Sequence, residues 1–322
     1  MKLKLNILLI IVIVFITPQV SLAGNRIITI GIISIIEHPA LNAVREGFIS
    51  ALAEKKIREG KEVKYLYNSA RGQVDTANQI VAQYIGKNVD LILAIGTSVA
   101  KVAAEKTTIK PVIFAAVTDP LGANLVENLE YPGGNVTGTS DMNPVDNQLN
   151  LIKKLIPTAK RVGILYNNGE SNSVAIVKLA DKYSKKYKLE MIKASANRTA
   201  DVHAAVASLV GKVDVVYMPT DNTMAAAIDI IITVCKDNKI PFFSSEDKSV
   251  EDGDALASIC VNYLQLGYQT GNMAYKILKG TKPASIPVEY QKNFNLIINE
   301  SVANKFNIKI NKELYKKAKI IR

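Results

Sequence analysis

Gly96-Thr97-Ser98 stands where the apolar run 91–95 gives way to a helical rhythm. Two hydroxyls and unpaired backbone N–H groups at the positive end of a helix make a place for an anion. Comparable junctions recur along the chain, always after a strand-like run. Ser34 and His38 follow the run 27–34, and Thr118 and Asp119 follow the run 112–116. Asn168, Glu170, Ser171 and Asn172 follow the run 161–166, Asp221 follows 213–218, and Glu246 follows 242–244. The first group offers hydroxyls and helix N-termini, which suit a carboxylate. The second offers Glu170, Asp221 and Glu246, which suit an ammonium group. Facing one another, the two groups would recognise a zwitterion such as an amino acid. Ser, Thr, Asp and Asn before helices are also ordinary N-caps, and each residue taken singly fits a cap. Their recurrence at strand ends is what favours a ligand.

Signals for catalysis are thin. There is no Gly-x-Ser-x-Gly elbow and no Gly-x-x-x-x-Gly-Lys-Ser/Thr loop. A hydrolase using Ser98 or Ser171 would need a neighbouring histidine. The chain has two, His203 in a helical stretch and His38 at a strand end. Glu170 and Asp221 could exchange protons, but no nucleophile or metal set accompanies them. Cys235 and Cys260 lie in apolar segments and read as buried free thiols, although an oxidising compartment would allow them to pair. Two Cys and two His make a poor ligand set, so neither metal nor cofactor is expected.

The elements that must position these residues alternate regularly. Strand-like runs at 27–34, 63–68, 91–95 and 112–116 are separated by helical patterns at 39–56, 74–87 and 99–106. A second series has strands at 161–166, 189–194, 213–218 and 242–244, with helices at 147–156, 173–187, 202–209 and 224–238. Short apolar runs between helices mean βαβ units and a parallel sheet. The same order occurring twice implies two Rossmann-like α/β lobes. The remaining pieces, a strand at 255–261, a helix at 263–279, a strand at 288–298 and a basic helical tail, are too few for a third core. They are expected to cross between the lobes, giving residues 24–140 plus about 255–285 to lobe one and 141–254 plus about 286–322 to lobe two. In open α/β sheets, ligands bind beyond the carboxyl ends of the strands, where the chemistry-bearing residues fall.

The chain has 322 residues, 48% hydrophobic, with net charge +11. The lysines cluster at 182–188 and 305–322 without interleaved aromatics, the pattern of solvated helix faces and not of a nucleic-acid surface. Residues 1–23 have the order of a secretory signal peptide: a basic start, an apolar core of about 12 residues, and Ser21-Leu22-Ala23 before the cleavage point. That core is short for a membrane span of about 20 residues. No Cys follows it for lipid attachment, so a periplasmic protein is expected.

Taken in order, these motifs resemble the substrate-binding proteins of bacterial ABC transporters, type I periplasmic fold, and within them the tryptophan/tyrosine-binding family. The likeness is carried by Glu37-His38-Pro39-Ala40-Leu41, Arg45-Glu46-Gly47-Phe48, Ala94-Ile95-Gly96-Thr97-Ser98 and Ala116-Val117-Thr118-Asp119-Pro120. Gly163-Ile164-Leu165-Tyr166-Asn167 and Glu170-Ser171-Asn172 continue it. The resemblance implies two lobes joined by a three-strand hinge, a monomer that closes on a small ligand and delivers it to an inner-membrane permease. It implies that Thr97, Ser98 and Thr118 hold a carboxylate and Asp221, helped by Glu170, an ammonium. Asn168, Ser171 and Asn172 would complete the cleft. Aromatic amino acids are the ligands it suggests, yet the chain has no Trp and its sequence marks no stacking wall. A sugar or nucleoside on the same fold is the alternative, with Arg71 the one nearby arginine, and a sensor role would look the same in sequence.

Overall fold

The computed structural model describes residues 26–322; the expected signal peptide lies outside them. The first lobe is built on a six-stranded sheet. Its strands are β1 (Ile28–Ser34), β2 (Val63–Ser69), β3 (Leu91–Ile95), β4 (Val112–Ala115) and β5 (Val136–Ser140). The second series follows as β6 (Arg161–Tyr166), β7 (Glu190–Ser195), β8 (Val215–Met218), β9 (Phe242–Ser244) and β10 (Ala257–Cys260). Three strands close the chain: β11 (Glu289–Tyr290), β12 (Asn295–Asn299) and β13 (Lys319–Ile321). The first sheet runs β11-β5-β4-β3-β1-β2, and the second β13-β12-β10-β9-β8-β6-β7. Every pairing in the first sheet is parallel. The second is parallel except where β12 meets β10, the point at which the chain re-enters from the first lobe.

Apolar runs explain the burial. Leu91–Ile95 and Val112–Ala115 are buried along their whole length because helices cover both faces of the sheet. In the second lobe the alternation of β8 feeds two cores. Val215 and Tyr217 join the cluster with Val162 and Ile164, while Val216 and Met218 join the one with Ile231 and Phe242.

The tail, expected to be helical, holds two short helices and ends in the strand β13, and three other elements differ from the sequence expectation. The helix expected at 224–238 is two, Asn222–Ala225 and Ile228–Asp237, broken at Ala227. The strand expected at 288–298 divides between the sheets as β11 and β12, because residues 291–294 cross from one lobe to the other. The strand expected at 255–261 pairs with β9 and β12, so it belongs to the second lobe and not the first. The lobe boundaries expected near 255 and 285 therefore move to 261–262 and 291–294.

Three crossings form the hinge: 141–144, 261–262 and 291–294. Polar side chains tie them together. Asn143 accepts from the Val261 N–H at 3.0 Å and donates to Thr220 at 2.8 Å. Asn262 and Gln291 exchange a reciprocal pair at 2.8 and 2.6 Å. Asp247 receives the Asn295 amide at 2.9 Å and the Cys260 thiol at 3.3 Å. Cys235 and Cys260 are both free and buried.

One helix pair of the first lobe points its N-terminal ends at the cleft. Pro39–Glu54 and Tyr263–Leu278 touch backbone to backbone through Gly47, Gly267 and Gly271, where a Cβ would stand 2.1, 1.9 and 2.6 Å from a carbonyl oxygen of the partner. Their N-termini deliver His38 and Tyr263 to the same place.

Candidate functional site

Between the lobes lies a narrow, polar-lined cavity of about 30 Å³. The first lobe contributes His38, Thr97 and Thr118, and the hinge contributes Asp141 and Tyr263. From the second lobe come Asn172, Thr220, Asp221, Asn222 and Glu246. Ile36, Leu41, Ala116 and Ala225 supply apolar surface.

Thr97 opens the helix Thr97–Lys106, and its cap is Gly96 at φ 104. A side chain at Gly96 would be strained in that conformation and would strike Ile35 at 2.7 Å, so the turn requires glycine. Thr97 is 2% exposed and its Oγ1 has no hydrogen-bond partner among the described residues. Across the cavity Asn172 Oδ1 is likewise buried and unpartnered. Native proteins rarely leave such atoms unpaired, and these two face one space from opposite lobes. Ala116 adds a backbone held at φ 54 in the cavity wall.

Three buried carboxyls surround this space. Asp141 accepts from Thr118 at 2.9 Å and Tyr263 at 3.2 Å, and burial still pushes it up to about 6. Asp221 is knotted into its own lobe: it caps Met224 N at 2.8 Å, takes Asn167 N at 2.6 Å and accepts from Ser173. Burial, with Glu170 nearby, raises it. Glu246 is the open one. Among the described residues its carboxylate receives no hydrogen bond; its nearest partner is His38 Nε2 at 3.4 Å. Burial, with Asp247 and Asp221 adding, pushes it up to about 8. His38 Nδ1 accepts from Ala40 N at 3.3 Å, which leaves Nε2–H facing Glu246 across the lobes. Burial lowers His38, so the imidazole is neutral at neutral pH. Among the described residues no Lys or Arg lines the cavity. Among the described residues no group of three His, Cys, Asp or Glu is placed to hold a metal ion.

Of the residues singled out in sequence, His38, Thr97, Thr118, Asn172, Asp221 and Glu246 come together here. The others do not line the cavity. Ser34 closes a local turn on Ile36 O at 2.8 Å, and Asp119 closes another on Gly122 N at 2.9 Å. Asn168 is exposed, and the buried neighbour Asn167 takes the structural role. Ser171 lines a separate crevice beside Lys178 and Lys182. Ser98 and Glu170 border an outer groove with Arg71 and Arg198. Glu170 is held by Asn167, Asn172, Asn222 and Thr223, so it orients cavity residues from behind. Asp141 and Tyr263 escaped sequence reading because the hinge brings them in. Asp141 directly follows strand β5, which was its one visible signal. Glu246 carried the strand-end signal openly.

The two hydroxyls of the Gly96-Thr97-Ser98 turn thus part company. Thr97→Val is expected to weaken ligand binding about tenfold, the worth of a hydrogen bond of about 1.4 kcal/mol. Ser98→Ala should leave it within twofold, and calorimetric titration of the two variants separates them.

Two α/β lobes, three crossings and a buried polar cavity between them define a two-lobed ligand receptor. The chain belongs to the ABC transporter substrate binding protein family, whose sequence model matches residues 29–321. It is 41% identical over 271 residues to a tyrosine-binding protein of Clostridioides difficile, covering 84% of this chain and 78% of that protein. Among solved structures it resembles an ABC domain from Streptococcus pneumoniae in complex with L-Trp, at 34% identity and TM-score 0.89, covering 92% and 100% of the two chains. The ligand-free, open structure of a Clostridium difficile substrate-binding protein with adhesive properties is 36% identical but superimposes at 0.71, covering 92% and 99%. The lobes described here therefore lie nearer to the ligand-complexed arrangement than to the open one, as the contact of His38 with Glu246 across the cleft requires.

Proposed function

We propose that this protein captures a free aromatic amino acid outside the cytoplasm, closes on it, and presents it unchanged to a membrane permease. The observation that carries this reading is the pairing of unsatisfied groups across one cavity. Thr97 Oγ1 waits at a helix N-terminus, and the Glu246 carboxylate, paired with no Lys or Arg among the described residues, stands on the opposite lobe. A ligand with a carboxylate at one end and an ammonium at the other satisfies both. Asn172 Oδ1 accepts a further N–H, while Ile36, Leu41, Ala225 and the Tyr263 ring give an apolar wall for the side chain. Asp221 supports the ammonium end through its field, since its own hydrogen bonds are spent on the loops around it. The tyrosine and tryptophan named for its relatives fit this description. Nothing in the cavity activates a nucleophile, so binding without chemistry is the reading, with residues 1–23 removed on export, a monomeric receptor in the periplasm, and a permease of the inner membrane as its partner.

Calorimetric titration at pH 7.5 of protein stripped by unfolding and refolding tests it. L-Tyr, L-Trp and L-Phe are compared with tyramine, which lacks the carboxylate, and 3-(4-hydroxyphenyl)propionate, which lacks the ammonium. At least one amino acid should bind with a Kd of about 1 μM or tighter, and both analogues should bind at least about 100-fold more weakly. No heat from any amino acid, or equal binding of the propionate, rejects the reading.

A further inference from the structure

In this arrangement Glu246 and Asp221 are both buried at one cavity, and among the described residues no Lys or Arg lines it. The surrounding charges do not compensate. Glu170, behind Asp221, adds negative charge, as does Asp247 beside Glu246. Lys248 turns outward to Glu251 and Asp252. Asp141, Tyr263 and Cys260 complete the group, and none of them brings a positive charge. Among the described residues His38 is the one cationic candidate in the lining, and its Nδ1 is already occupied as the acceptor that caps its helix. In the open cleft Glu246 would be hydrated; in the closed one it faces a neutral imidazole at 3.4 Å.

We propose that closure demands one positive charge beside Glu246, which the ligand's ammonium supplies and which, in the empty protein, only a proton can supply. The inference rests on the amino-acid reading above for the ligand's ammonium. The sign follows from linkage: the closed empty form holds the Glu246 proton more tightly than the open form, so acidification favours closure. At about pH 8 and above the carboxylate is ionised in both forms and opposes empty closure. Between pH 8 and the ordinary carboxyl range, protons progressively replace the ligand as the closing charge. The receptor is thereby kept open for capture at neutral to alkaline pH, and ligand and proton compete as pH falls.

Small-angle scattering of the stripped protein at pH 8.0 and 5.0 tests this, with circular dichroism at both to show that the fold persists. The radius of gyration without ligand should fall at pH 5.0 to the value that saturating L-Tyr or L-Trp produces at pH 8.0. Glu246→Gln, a neutral mimic of the protonated acid, should be closed without ligand at both. His38→Gln should keep the pH response, since the carboxyl and not the imidazole takes the proton. An unchanged radius in wild type between the two values, loss of the response in His38→Gln, or a Glu246→Gln variant that opens at pH 8.0 overturns the proposal. Amino-acid binding at pH 7.5 with a pH-independent radius removes this inference alone; absence of amino-acid binding removes the reading it rests on.

Discussion

Glu246→Gln is expected to raise the Kd for the bound amino acid by about 100-fold or more at pH 7.5. Truncating one member of a buried, hydrogen-bonded charge pair costs about 2–5 kcal/mol, and each 1.4 kcal/mol is a factor of ten. The substitution keeps the size of the side chain and removes the charge, so it isolates the electrostatic contribution. Glu246 is the cleaner choice than Asp221. Asp221 holds the N–H groups of Asn167 and Met224 and the Ser173 hydroxyl, and changing it would loosen the lobe itself. Glu246 makes no such bonds. The ligand-free variant should also melt no lower than wild type at pH 8. A carboxyl raised by burial contributes stability below its unfolded value and loses it as pH rises through about 8, so removing its charge does no harm there. Titration calorimetry and a thermal melt read the two effects, and a Kd within threefold of wild type would exclude Glu246 as the ammonium partner.

Gly267→Ala should destabilise the protein by about 3 kcal/mol, more than any helix-propensity gain can offset. The added Cβ would stand 1.9 Å from Val44 O and 2.8 Å from Val44 Cα. Those atoms belong to the facing helix backbone and cannot swing aside; the helices must separate. The pair packs beneath the first sheet with Val44, Phe48, Leu52, Leu266 and Met273 in its core, so separation opens that core. It also displaces His38 and Tyr263, and affinity should fall with stability. The urea midpoint should drop without a change in slope. Gly86→Ala is the control: a Cβ there meets nothing within 4 Å, and stability should hold or rise slightly. A midpoint for Gly267→Ala equal to that control would mean that the helices are not locked by their glycines.

Much of this was legible in the chain. The alternation of apolar runs and amphipathic helices states two α/β lobes, because a strand buried on both faces must be apolar throughout and a helix covering it must be apolar on one side. Strand ends are equally legible: a polar residue just after an apolar run has few places to go except the carboxyl edge of the sheet. Thr97, Thr118, Asn172, Asp221 and Glu246 were visible in this way. What local sequence cannot decide is which of two adjacent polar residues turns inward. Thr97 and Ser98 share one helix turn, yet one faces the cavity and the other the outer groove. Asn167 and Asn168 divide similarly, one buried and holding Asp221, the other in solvent.

The sequence by itself determined the lobes and their parallel sheets, since these follow from periodicity and residue type. Only the tertiary structure decided how the lobes interlock and which acid stays open. The hinge brings together residues far apart in the chain, and no local pattern encodes that Tyr263 will reach Asp141, 122 positions away, or that His38 will face Glu246. The open acid is decided by subtraction. Asp221 and Glu170 are consumed by hydrogen bonds from their own lobe and Asp141 by the hinge. Among the described residues the Glu246 carboxyl is the one cavity acid that accepts no hydrogen bond, and that is a property of the assembled set of partners, invisible until all of them are in place.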